Sequence, residues 1–271
     1  MKKIAASLLL VLVTVAFASA QNKKELKFDS FSRVQLRSSS KVFLKQGSPQ
    51  KVEFEGDRED IEELDPRVES GKLIIGRDNW NNWGFSNREN RVTVYITMPN
   101  IEGLSVAGSG DMVVEGKITA RDLDLNVSGS GNLDIEADAS GELDADVSGS
   151  GNIAFKGKCR DFDSSVSGSG RVDLEITVTE RALFGLSGSG KVRASGSAKE
   201  VKATISGSGE VLAANLVTDK CDVRISGSGD VEINVNKELD ANISGSGTVA
   251  YKGNPSHVNS HSSGSGNVRK Y

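Results

Sequence analysis

Residues 147–155 read VSGSGNIAF, and this short stretch decides the fold. Its large apolar members, Val147, Ile153 and Phe155, stand at even separations. An even period is that of a β-strand, whose side chains alternate between two faces. At its centre Ser148-Gly149-Ser150-Gly151 is one copy of a phrase that starts at Ser128, Ser148, Ser167, Ser187, Ser206, Ser226, Ser244 and Ser263. Ala107 to Gly110 is a ninth copy with alanine in first place. The first glycines are 108, 129, 149, 168, 188, 207, 227, 245 and 264, so successive spacings are 21, 20, 19, 20, 19, 20, 18 and 19 residues. A period near 20 that drifts without breaking marks a solenoid, in which each repeat is one coil stacked on the last.

Alignment on the first glycine shows what a coil contains. Two residues before it stand Val106, Val127, Val147, Val166, Leu186, Ile205, Ile225 and Ile243. Four residues after it stand Met112, Leu133, Ile153, Val172, Val192, Val211, Val231, Val249 and Val268. Further apolar columns lie six before, as at Leu123, Leu143 and Phe162, and six after, as at Ile135, Phe155 and Leu174. The odd columns are polar: the serines, then Asn132 and its counterparts Arg171, Lys191 and Asp230. One face goes inside and the other meets water. The fold class predicted is all-β, a single-stranded β-helix or β-solenoid with coils of about 20 residues.

The glycines need their own reason, because glycine inside a strand costs about 0.5–1 kcal/mol relative to alanine. Two per coil imply a geometric requirement: a corner with positive φ, or a neighbour so close that no Cβ fits. Both glycines fall in the inward phase, which favours close approach.

Composition agrees with a narrow aliphatic core. Aromatic residues make up 5% of 271 residues, glycine contributes 30, and the strands are filled with valine, isoleucine and leucine. The net charge of −4, with both signs interspersed, argues against nucleic acid as a partner. Residues 1–20 read as a secretory signal: Lys2 and Lys3, an apolar run from Leu8 to Phe17, then Ala18-Ser19-Ala20. Cleavage is expected before Gln21, followed by export beyond the inner membrane to the periplasm, the outer membrane or the exterior. No later stretch is long and apolar enough for a transmembrane helix.

Residues 21–105 lack the repeat but still alternate, at Val34 and Leu36, Val42 and Leu44, and Val52 and Phe54. They are expected to form less regular coils that begin the same solenoid, with a short helix over the acidic stretch Asp57 to Leu64, stopped by Pro66. Residues 106–271 form the regular solenoid and end in a degenerate coil, where Ser260 and Ser262 occupy apolar columns. A polar terminal coil lets a solenoid end without polymerising.

Between Gly76 and Arg91 the pattern breaks into RDNWNNWGFSNREN. Trp80, Trp83 and Phe85 lie here among five asparagines, and they are the candidate ligand-binding residues. An indole rimmed by amides suits the apolar face and hydroxyls of a sugar ring. The competing reading is a loop whose aromatics fold back onto the solenoid.

Other chemistry is sparse. His257 and His261 have too few neighbouring donors for a metal site. An acid follows the glycines only at Asp111, Glu210 and Asp230, which is too few for a calcium-binding repeat. Lys191 beside Glu210 is the one acid–base juxtaposition, and a solvated charge ladder explains it. Cys221 falls in a buried column, whereas Cys159, counted back from the next glycine, falls beside Ser140 and Thr179 in a turn. Three coils, roughly 14 Å at about 4.8 Å per strand, separate the two cysteines, too far for a disulfide. No cofactor motif is present.

The leader, the segment VTVYITMPNIEGLSVAGSGDM at residues 92–112 and the VSGSGNL-type coils together resemble the head GIN domain family. These are secreted, autotransporter-adhesin-like proteins of unknown function, frequent in Bacteroidetes. The resemblance spans nearly the whole mature chain and implies a right-handed β-helix, an extracytoplasmic place and no catalytic residues. The function expected is a non-enzymatic cell-envelope binding or adhesion module whose partner is a glycan or other cell-surface component. Two competing roles are a structural scaffold that forms homo-oligomers through its coil ends or serine faces, and a glycan-processing enzyme.

Overall fold

The computed structural model describes residues 23–77 and 92–271. The irregular part supplies β1 (Lys23–Leu26), β2 (Arg33–Leu36), β3 (Lys41–Gln46), β4 (Lys51–Glu55), α1 (Arg58–Glu63), β5 (Arg67–Glu69), β6 (Lys72–Ile75) and β7 (Thr93–Met98). The first repeats follow as β8 (Gly103–Val106), β9 (Asp111–Ala120), β10 (Leu123–Val127), β11 (Asn132–Ala139), β12 (Glu142–Gly149), β13 (Asn152–Cys159) and β14 (Asp161–Gly168). Beyond them the two strands of adjoining turns run together as β15 (Arg171–Gly188), β16 (Lys191–Gly207), β17 (Glu210–Gly227) and β18 (Asp230–Gly245). The stack ends in β19 (Thr248–Lys252), β20 (His257–Gly264) and β21 (Asn267–Lys270).

The result is a nearly all-β solenoid of about eight turns. Parallel pairing holds the repeats in register: Val127 lies beside Val147, Val147 beside Val166, and Val166 beside Leu186. One wall therefore runs β8, β10, β12, β14 and onward, and leads into each Ser-Gly-Ser-Gly corner. The other runs β9, β11, β13, β15 and onward, and leaves it. Both walls turn their even columns inward, so Val127, Leu133, Val147, Ile153, Val166 and Val172 are all buried in one continuous core.

The two glycines of the phrase differ in role, which corrects the expectation that both point inward. Seven of the nine first glycines have φ between +118° and +132° and lie on the outer side of the corner. The second glycine does face the interior: a Cβ on Gly170 would collide with Cγ1 of Val147 in the coil below. Between them the backbone closes the ladder across coils, with Ser169 N–H donating to Gly149 O at 2.9 Å and Ser189 N–H to Gly168 O at 2.9 Å.

The irregular coils do not stack in chain order. β2 lies between β6 and β8, and β3 lies between β7 and β9. The later strands β6 and β7 thus lie outside the earlier β2 and β3, which are sandwiched between them and β8 and β9. Antiparallel strands finish this end, β4 and then β1 on one wall and β5 on the other. Helix α1 crosses between the walls here, with Glu59 and Asp60 in its first turn, where carboxylates suit the helix dipole. It buries Ile61 and, just past its end, Leu64. Asp65 then takes positive φ (46°), and Pro66 prevents continuation.

Cys159 is the second correction. It is buried and pairs with Val178, in the column of Ala139, rather than lying in a turn. The count back from the next glycine failed because coils vary in length at the corner after this column; the count forward places it. Both cysteines are free. At the far end β20 is exposed along its whole length, with Ser260 and Ser262 on the uncovered face.

Candidate functional site

Because successive coils stay in register, each outward column becomes a straight row of side chains along a wall. The row Asp111, Asn132, Asn152, Arg171, Lys191, Glu210, Asp230 is paired in part, and Arg171 Nε is buried within it without a partner among the described residues. Asn132 donates to Asp111 at 2.7 Å, Asn152 donates to Asn132 at 2.8 Å, and Lys191 meets Glu210 at 2.7 Å. Lys191 and Glu210 both keep contact with water, so this is a solvated ladder.

The adjacent outward row on the same wall runs Asp134, Ala154, Asp173, Arg193, Leu212, Glu232. Here the surface is dented into an open groove of about 480 Å³. The local sequence explains the dent. Residues Ala194 to Ala198 read ASGSA, five small residues where other coils carry long ones. Ser195 folds its hydroxyl back to the Leu174 carbonyl at 3.2 Å, and Gly196 turns with φ of 115°. An extra residue in β17 shifts its register between Leu212 and Asn215, which spreads the strand beside the dent. This groove was not foreseen from sequence, although the run of small residues was its visible signal.

The other wall carries an acidic patch. Asp124, Asp144 and Asp163 stand in register on three successive strands, with Glu142 and Asp146 flanking Asp144. Partial burial, then the charges of Glu142, Asp124, Asp163 and Asp146, push the Asp144 carboxyl up to about 6. Burial and the neighbouring acids raise Asp163 in the same direction. Elsewhere carboxylates are lowered by cationic partners, as Asp161 is by Arg160 at 2.8 Å.

Near the first end, Phe43 and Tyr95 occupy outward positions and stack with centroids 5.5 Å apart. Lys23 lies 3.9 Å over the Tyr95 ring. The stacked pair thus braces β3 against β7. The sequence candidates Trp80, Trp83 and Phe85 lie outside the described residues. His257 and His261 are exposed on β20, opposite Glu238 and Asn242. The thiols are unsuited to nucleophilic work: burial pushes Cys159 up to about 12 and moves Cys221 in the same direction.

The chain resembles the solved structure of a putative lipid binding protein from Parabacteroides distasonis, with 22% identity over 92% of this chain and 96% of that one, at a TM-score of 0.68. It also resembles a putative adhesin from Parabacteroides merdae, with 19% identity, 92% and 95% coverage and a TM-score of 0.67. A putative adhesin from Parabacteroides distasonis gives 19%, 92% and 96%, again at 0.67. At these identities the likeness is one of fold. No curated protein matches the chain in sequence. The family described as "Putative auto-transporter adhesin, head GIN domain" matches residues 30–182 and 173–255. With that match over most of its length, the chain belongs to the head GIN domain family.

Proposed function

We propose that this protein is an exported, non-enzymatic binding module that attaches to a cell-envelope or host-surface component, a glycan before others. The observation that carries this reading is the geometry of the outer face. Rows of polar side chains are held at a fixed spacing on a rigid, filled core, which suits contact with an extended partner. The acid–base neighbours Lys191 and Glu210 neutralise each other in solvent, and the two thiols are buried and protonated, so neither feature supports catalysis. The Trp80, Trp83 and Phe85 stretch is offered as one contact, on the sequence argument alone. Among the described residues no helix is long and apolar enough to cross a membrane. Family membership and the leader at residues 1–20 support export.

A lipid ligand is suggested by one structural relative. Here the interior is filled by Val147, Ile153, Val166 and their neighbours, so an acyl chain would have to lie outside the coils. That favours the surface-binding reading.

The test is saturable binding of the purified mature chain to a glycan array and to intact cells. Binding that Trp80→Ala with Trp83→Ala reduces would support both the role and the contact. No saturable binding, with light scattering that grows with protein concentration, would point to a self-associating scaffold. Release of new reducing ends from a polysaccharide would point to an enzyme.

A further inference from the structure

We infer that the groove between Asp134 and Glu232 is a binding site for a neutral oligosaccharide; this rests on the binding-module reading above and names a ligand class for one of its surfaces. Two rows run side by side on one wall. In the first, Asn132 donates to Asp111 and Lys191 pairs with Glu210, while Arg171 Nε is buried without a partner among the described residues. In the groove row Asp173 and Arg193 are neighbours in register, yet neither they nor Glu232 make an ion pair or a side-chain hydrogen bond among the described residues. Charged groups left without partners around a concavity are available to a ligand.

The chemistry of the lining selects the class. A carboxylate offers two acceptors and a guanidinium a rigid fork of donors, and a pair of neighbouring sugar hydroxyls can serve either. Asn215 adds an amide at the rim, its oxygen 3.4 Å from Lys252 Nζ. Ala154 and Leu212 interrupt the charges with apolar surface that fits the C–H face of a ring. Four carboxylates line the groove (Asp134, Asp173, Glu175, Glu232) against two cations (Lys156, Arg193), which disfavours polyanions such as nucleic acid or uronate polymers. A peptide added as a strand would need an open sheet edge. This site lies in mid-wall, where β15, β16 and β17 have strands on both sides. The row crosses six strands, roughly 24 Å at about 4.8 Å each, which suits a chain of sugars better than a single one.

The experiment is an amide-resolved NMR titration of the full mature chain with mannohexaose, cellohexaose and chitohexaose, with hexagalacturonate as the charged control. One of the neutral probes is expected to move the amides of Arg193, Leu212 and Asn215. Asp173→Ala with Arg193→Ala should weaken that binding by about tenfold or more. Both residues are on the surface, and an unchanged spectrum elsewhere would confirm that the variant folds. Failure of all three neutral probes at millimolar concentration, or equal binding by the double variant, overturns the site. If cells still bind the double variant as they bind the parent, the adhesion role stands and the groove assignment falls. If the sugar binds in the groove but cells do not bind the protein, the groove stands and the adhesion role falls.

Discussion

A Cβ added to Gly168 would lie 2.6 Å from the carbonyl oxygen of Gly149, one coil below. That oxygen is the acceptor for Ser169 N–H, so it cannot retreat without breaking the corner ladder. The φ of 119° at Gly168 adds a second penalty for any other residue. Gly168→Val is therefore expected to destabilise by roughly 2–5 kcal/mol. Gly71 is the control: it also has positive φ (73°), but a Cβ there would meet nothing within 4 Å. Gly71→Ala should cost only about 1–2 kcal/mol. Equal losses in chemical denaturation would mean that close stacking is not what the corner requires.

Val166 is fully buried between Val147 and Leu186, while the next residue, Ser167, is exposed. Val166→Asp places a carboxylate in the core without a partner and should cost several kcal/mol, or abolish folding. Ser167→Asp should change stability by less than about 1 kcal/mol. Thermal melts of the two variants make the comparison, and similar losses would contradict the assignment of faces.

The pH dependence follows from the signs of the shifts. Asp144 has a folded value of about 6, above the usual carboxylate range, so the native state holds its proton more tightly than the unfolded chain. Stability should fall as pH rises from about 4 through 6 and then level off. Asp161, lowered by Arg160, acts in the opposite sense and withdraws stability below about pH 4. Urea denaturation across this range should show a maximum near pH 4, with Asp163 adding to the falling limb above it. Asp144→Asn should flatten the limb above it. A limb unchanged in that variant would mean another group is responsible.

Both thiols are buried and raised, so a thiol reagent should react slowly with the native chain and modify two cysteines after denaturation. Finding no reactive thiol in denatured monomer would show a disulfide, and with it a different stacking of the coils that carry Cys159 and Cys221.

How much of this was legible in the sequence depends on how far the repeat reaches. Within the regular coils, even columns such as Val127, Val147 and Val166 report burial because a strand has only two faces. Exceptions arise where a neighbour changes the space available. Ser164 sits in an inward column, fully buried, and donates its hydroxyl to Ala145 O at 2.8 Å. Its small size leaves room for Phe162 and Phe184, which meet edge to face at 5.9 Å. Periodicity alone does not reveal such a size trade. Nor does it reveal the inverted order of the first coils, since pairing partners of β2 are fixed by which strand lies above it. The groove depended on a register shift in β17, a pairing property that one strand's composition does not carry.

The sandwiching of the 33–46 coil has a consequence for how the molecule is made. A polypeptide delivered amino-terminus first presents β2 and β3 early, yet their neighbours on both sides, β6 to β9, arrive 39 to 70 positions later. The earliest segment must wait, unpaired, until the strands on either side of it have emerged. Once they close around it, every later turn can be laid on a finished template, one circuit at a time, in the direction of delivery. The irregular end thus acts as the seed crystal of the molecule, and the repeats are growth upon it.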